Sequence, residues 1–152
     1  NMLTPDDDEG QPMRQRNPLP ESVIPTGRGD EQTLEAAVDH TAGWPEVLAH
    51  AERRLHSDTP TRFNLIDLVE RRAVGTVSVH FQSRHPWSRR GGQSWVTETP
   101  SARLTLHPLW EPAEADAQQD LFDGLYRPVH RLTLRTSPGT RFEMTHVLEL
   151  ET

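Results

Sequence analysis

The sequence predicts an α+β domain: an antiparallel sheet of four or five strands with two or three helices packed on one face, preceded by an extended N-terminal arm. Three observations carry this expectation. Residues 1–29 are acidic and Pro-rich, apolar residues recur at helical spacing between Asp30 and His56, and beyond Ala73 the apolar period shortens to two. A chain of 152 residues suits one such domain, over 30–152, because two halves would each have too small a core.

The arm, 1–29, contains Asp6-Asp7-Asp8-Glu9, Asn17-Pro18-Leu19-Pro20 and Pro25-Thr26-Gly27, the composition of an extended segment. Leu19, Val23 and Ile24 are its apolar anchors, laid across its own domain or, as the reading favoured here, across a second copy in a homodimer. Asp30 caps a first helix, with Leu34, Ala37 and Val38 on one face and Gly43 at its end. Pro45 opens a second helix, in which Val47, Leu48, Ala51 and Leu55 recur at helical spacing. Residues 60–71 suit a helix or a strand equally: Asp58-Thr59-Pro60 resembles a cap, while Phe63, Leu65, Ile66, Leu68 and Val69 suit a strand.

Val77, Val79 and Phe81 then alternate with Ser78, His80 and Gln82, the pattern of a half-buried strand. Ala102, Leu104 and Leu106 alternate with Arg103, Thr105 and His107 in a second strand, expected to pair with the first as a hairpin. Ala113 to Tyr126 reads as a helix, with Leu121, Phe122, Leu125 and Tyr126 inward. Leu132 and Leu134, then Phe142, Met144, Leu148 and Leu150, mark a final hairpin around Ser137-Pro138-Gly139.

Composition excludes several chemistries. There is no cysteine, which removes disulfides, thiol catalysis and cysteine-held metals. All 16 basic residues are Arg, so phosphate-loop and Schiff-base lysines are absent, and the scarcity of Lys, Ile and Asn points to a GC-rich bacterial gene. A formal charge of -7 makes nucleic acid an unfavoured partner. No apolar run approaches the roughly 20 residues of a membrane helix. The first residues lack the charged start and apolar run of a signal peptide, so the expected location is cytoplasmic. No phosphate loop, dinucleotide fingerprint, metalloprotease helix or nucleophile elbow occurs, and no cofactor is expected.

Three side-chain groups remain as candidate sites. In the expected middle hairpin, His80 falls beside Arg103 and His107 on a polar face that is either a pocket, with histidine as acid or base and arginine holding an anion, or a solvated outer surface. In the expected final hairpin, His130 lies opposite His146, as neighbouring neutral core residues or, less favoured, as two ligands of one metal. The segment from Ser83 to Trp95 sets Arg84, Arg89 and Arg90 between Trp87 and Trp95, with Gly91-Gly92 allowing a tight turn at its tip. Tryptophan and arginine dominate binding hot spots. The leading expectation is therefore a noncatalytic adaptor that binds a protein partner through this loop. The alternative is a small-molecule-binding protein or enzyme with a His/Arg-lined pocket on the sheet, and a third reading is a nucleic-acid accessory factor.

Overall fold

The computed structural model describes residues 2–15, 25–121 and 128–152. Strands follow in the order β1 (Met2–Pro5), β2 (Thr26–Gly29), β3 (Leu34–Asp39), β4 (Leu48–Thr59), β5 (Arg62–Gly75), β6 (Val77–Ser83), β7 (Ser88–Arg89), β8 (Trp95–Glu98), β9 (Arg103–Pro108), β10 (Glu114–Leu121), β11 (Pro128–Arg135) and β12 (Gly139–Glu151). They form a four-stranded sheet, β1-β6-β11-β10, and an eight-stranded sheet, β2-β3-β4-β5-β12-β9-β8-β7, with every pairing antiparallel. Val77, Val79, Phe81, Leu132 and Leu134 of the small sheet share one core with Leu48, Ala51, Leu65, Val69, Leu106 and Met144 of the large one. The two sheets therefore stack as a sandwich.

The expected α+β class is overturned. Among the described residues there is no α-helix, only a single 3-10 turn at Thr41–Gly43. None is long and apolar enough to cross a membrane. The first two expected helices fall on β3 and β4, residues 60–71 are a turn at 60–61 followed by β5, and the described part of the third falls on β10.

The physical reason is clearest in β4. Its pairing with β5 slips by one residue between Leu48 and His50, a bulge that lets Leu48 and Ala51, three apart, both face the core. Two further steps of two reach Leu55, so a bulged strand reproduces the spacing of a helix face. The position between, Arg53, also faces inward and breaks the visible alternation. In β10, the helix-favouring residues Ala115, Ala117, Gln118 and Gln119 pair along β11, and tertiary pairing overrides their local preference.

Two of the points at which the chain passes between sheets are neighbours. At Gly75-Thr76 it leaves β5 for β6, and at Thr136 to Pro138 it leaves β11 for β12. The crossings are tied together: Thr136 N–H donates to the Val77 carbonyl at 3.0 Å, and Val77 N–H donates to Thr136 Oγ1 at 3.0 Å. Arg71 reaches out of β5 and donates from Nη1 to the carbonyls of Thr76 and Asp6, joining the first crossing to the segment after β1. Described parts of 1–29 thus enter both sheets, as β1 and β2. Leu19, Val23 and Ile24, the expected anchors, lie outside the described residues.

Candidate functional site

Strand β6 is buried on both faces. Val77, Val79 and Phe81 enter the core, while Ser78 and His80, 0% and 5% exposed, point to the outer side of the small sheet. Antiparallel register sets polar residues beside them in rows. One row runs Thr4, Ser78, Arg135, Glu114; the next places His80 beside Thr133 and Asp116; a third places Gln82 beside Arg131 and Gln118.

A buried network fixes this face from below. Asp6, with no exposed surface, accepts hydrogen bonds from Ser78 Oγ at 2.9 Å and Thr76 Oγ1 at 2.8 Å, and its Oδ2 lies 3.2 Å from Arg135 Nε. Arg135 Nη1 donates to Glu114 at 2.6 Å, so its guanidinium is held between two carboxylates. The His80 ring is held at both nitrogens, by Thr4 Oγ1 at 2.9 Å and Thr133 Oγ1 at 3.0 Å. Burial, aided by the nearby charge of Arg131, lowers its pKa to about 4, so it is neutral at pH 7.

Above the network lies an open cleft of about 380 Å³, lined by Gln11, Pro12, His80, Glu114, Asp116, Gln118, Arg131, Thr133 and Arg135. Gln11 and Pro12 reach it because the chain after β1 folds back on itself: Asp6 bridges to Pro12, and Met13 N–H donates to the Pro5 carbonyl at 2.9 Å. Gly10, at a φ of 74°, makes the reversal, a conformation unfavourable to other residues. Hydroxyl, amide, guanidinium and carboxylate groups converge here on a rigid floor, an arrangement suited to a small polar ligand.

The expected grouping of His80 with Arg103 and His107 does not form. His80 lies in β6, between β1 and β11; Arg103 and His107 lie in β9, between β12 and β8 of the other sheet. The two strands expected to pair as a hairpin do not, because the chain changes sheets between them. His107 Nδ1 instead shares a hydrogen bond with Ser94 Oγ at 2.8 Å and its Nε2 lies 3.4 Å from Glu149, while Arg103 pairs with Glu98 and Glu151.

His130 and His146 also part company, since β11 and β12 belong to different sheets. His130 is paired with Ser83 and Gln119 and is half-buried. His146 is fully buried, edge-on to Phe81 at 5.1 Å and to Trp110 at 5.8 Å, with neither ring nitrogen hydrogen-bonded. Burial drives its pKa down to about 3. Among the described residues no group of three metal-ligating side chains forms.

In the Trp/Arg segment, Trp87 and Trp95 are 7% and 9% exposed and belong to the core, with Trp87 edge-on to Phe81 at 6.5 Å. Gly91 and Gly92, at φ 54° and 55°, form the tip of the β7–β8 hairpin, and Arg84, Arg89 and Arg90 lie on the surface. Arg131, Thr133 and Arg135 were not among the candidate residues, and Asp6 figured only in the acidic run of the arm. The alternation of Arg131, Thr133 and Arg135 with Leu132 and Leu134 was the available signal: two guanidiniums and a hydroxyl on one face of one strand.

No family model matches the sequence, and no curated protein matches it. Solved structures do. Heparan sulfate lyase HepC from Pedobacter heparinus is 14% identical, with a TM-score of 0.66, over 98% of this chain and 23% of its own. The heparinase III-BT4657 gene product is 12% identical, with a TM-score of 0.65, over 99% of this chain and 23% of its own. The likeness is one of fold. This chain, which spans about a quarter of the length of those proteins, has the all-β architecture of a portion of them.

Proposed function

We propose that this β-sandwich is a glycan-binding unit that holds a short stretch of saccharide in the cleft on the small sheet. The observation that carries the reading is the pairing of an open polar cleft with a buried, hydrogen-bonded floor. Asp6, Ser78 and His80, all at or below 5% exposure, fix Arg135 and Thr133 so that little side-chain freedom remains to be lost on binding. The fold likeness to proteins named as heparan sulfate lyases supports a saccharide as the ligand class. Both nitrogens of His80 are engaged by Thr4 and Thr133, so the ring serves as part of the fixed floor on which the ligand is held.

The test is calorimetric titration with a panel of neutral and sulfated hexasaccharides. Binding by at least one of them, weakened about tenfold or more by Gln118→Ala or Thr133→Val with the fold intact, is the expected result. Absence of binding across the panel would overturn the proposal.

A further inference from the structure

Resting on that glycan-binding reading, we infer that the saccharide taken by this cleft is uncharged, a polyhydroxyl stretch and not a sulfated or uronate-bearing one. The charges lining the cleft are balanced. Among the described residues the lining holds two arginines, Arg131 and Arg135, and two carboxylates, Glu114 and Asp116, while the buried Asp6 contacts Arg135 and His80 carries no charge at pH 7. The Arg135 guanidinium is committed to carboxylates on two sides, at 3.2 Å to Asp6 and 2.6 Å to Glu114. A sulfate approaching it would have to displace Glu114, with the Asp116 carboxylate two positions along the same edge strand. The protein as a whole carries a formal charge of -7, so nothing at longer range draws a polyanion toward this face.

Sugar hydroxyls meet no such conflict. Each can donate to Asp116 or Glu114 and accept from a guanidinium, the Gln118 amide or the Thr133 hydroxyl, so both signs of charge contribute charge-assisted hydrogen bonds. Among the described residues no aromatic ring other than the His80 imidazole lines the cleft, and their contribution to binding rests on these polar contacts.

The experiment titrates the whole chain with cellohexaose, xylohexaose, mannohexaose and a heparan sulfate hexasaccharide, at about 0.05 M and about 0.5 M salt. The inference expects at least one neutral hexaose to bind with an affinity that changes less than about threefold between the two salts, and the sulfated probe to bind about tenfold more weakly or not at all. Asp116→Asn is expected to weaken the neutral sugar. Tighter binding of the heparan sulfate probe, lost at high salt and strengthened by Asp116→Asn, would overturn the inference while leaving the glycan reading in place. Binding of none of the four would overturn both.

Discussion

Arg53 grips Asp67 with both Nε and Nη2, at 2.7 and 2.8 Å, and the carboxylate that receives them has no exposed surface. The pair spans β4 and β5 on the inner face of the large sheet. Removing one partner strands the other charge in the sandwich. Arg53→Met is therefore expected to cost about 3–5 kcal/mol of stability in urea unfolding, and the double variant R53M/D67L to recover much of it. Equal losses in the single and double variants would show that the pair acts through packing alone.

Burial holds the imidazoles of His146 and His80 neutral, with pKa values of about 3 and about 4, and lowers that of His40 as well. These lie below the roughly 6.5 of an unfolded histidine, so on acidification the unfolded chain takes up the protons first. The stability they contribute is complete above about pH 6.5 and falls as pH drops toward 4. Asp39, held low by the Thr41 hydroxyl, and Glu52, held low by Arg54, add losses only below the usual carboxylate range of about 4. His146→Leu is expected to flatten the melting-temperature profile between about pH 6.5 and 4 and, by removing two buried ring nitrogens that make no hydrogen bond, to leave stability at neutral pH unchanged or raised. An unaltered acid slope would contradict this.

Trp87 and Arg89 sit two residues apart and are expected to respond in opposite ways. Trp87→Ala opens a cavity beside Phe81 and is expected to cost about 3–5 kcal/mol. Arg89→Ala, at an exposed position, is expected to change stability by no more than about 0.5 kcal/mol. Chemical denaturation of the two variants side by side measures the difference.

A Cβ at Gly75 would lie 2.5 Å from the Arg71 guanidinium carbon. Gly75→Ala must push that guanidinium away from the carbonyls of Asp6 and Thr76, and is expected to destabilise by about 1–3 kcal/mol. The companion variant R71M/G75A, which has no guanidinium to displace, is expected to show a smaller added loss from the alanine.

Alternation along β6 and β9 was legible because Val77, Val79, Phe81, Leu104 and Leu106 keep a strict period of two. The partners of those strands were not, since β6 pairs with residues far along the chain on either side, in β1 and in β11, and nothing local in Val77 to Ser83 names Leu3 or Leu134. The bulge at Leu48/His50 imitated a helix, and the Ala- and Gln-rich β10 favoured one. His80 stood out as a histidine on a polar strand face, yet its companions could not be read: Thr4 and Thr133 lie 76 and 53 residues away and meet it only through sheet register. Both tryptophans of the Arg-rich segment looked like a binding surface because the core they fill is assembled from strands of both sheets.

The last strand to appear in the chain occupies the middle of the large sheet. β12 lies between β5 and β9, so the block β2 to β5 and the block β9 to β7 are joined through it. During synthesis both blocks must wait until residues 139–151 have left the ribosome, with the edges of β5 and β9 open to any other strand they meet. A chain halted before Gly139 would display two unpaired edges at once, which makes premature termination a point of exposure to aggregation.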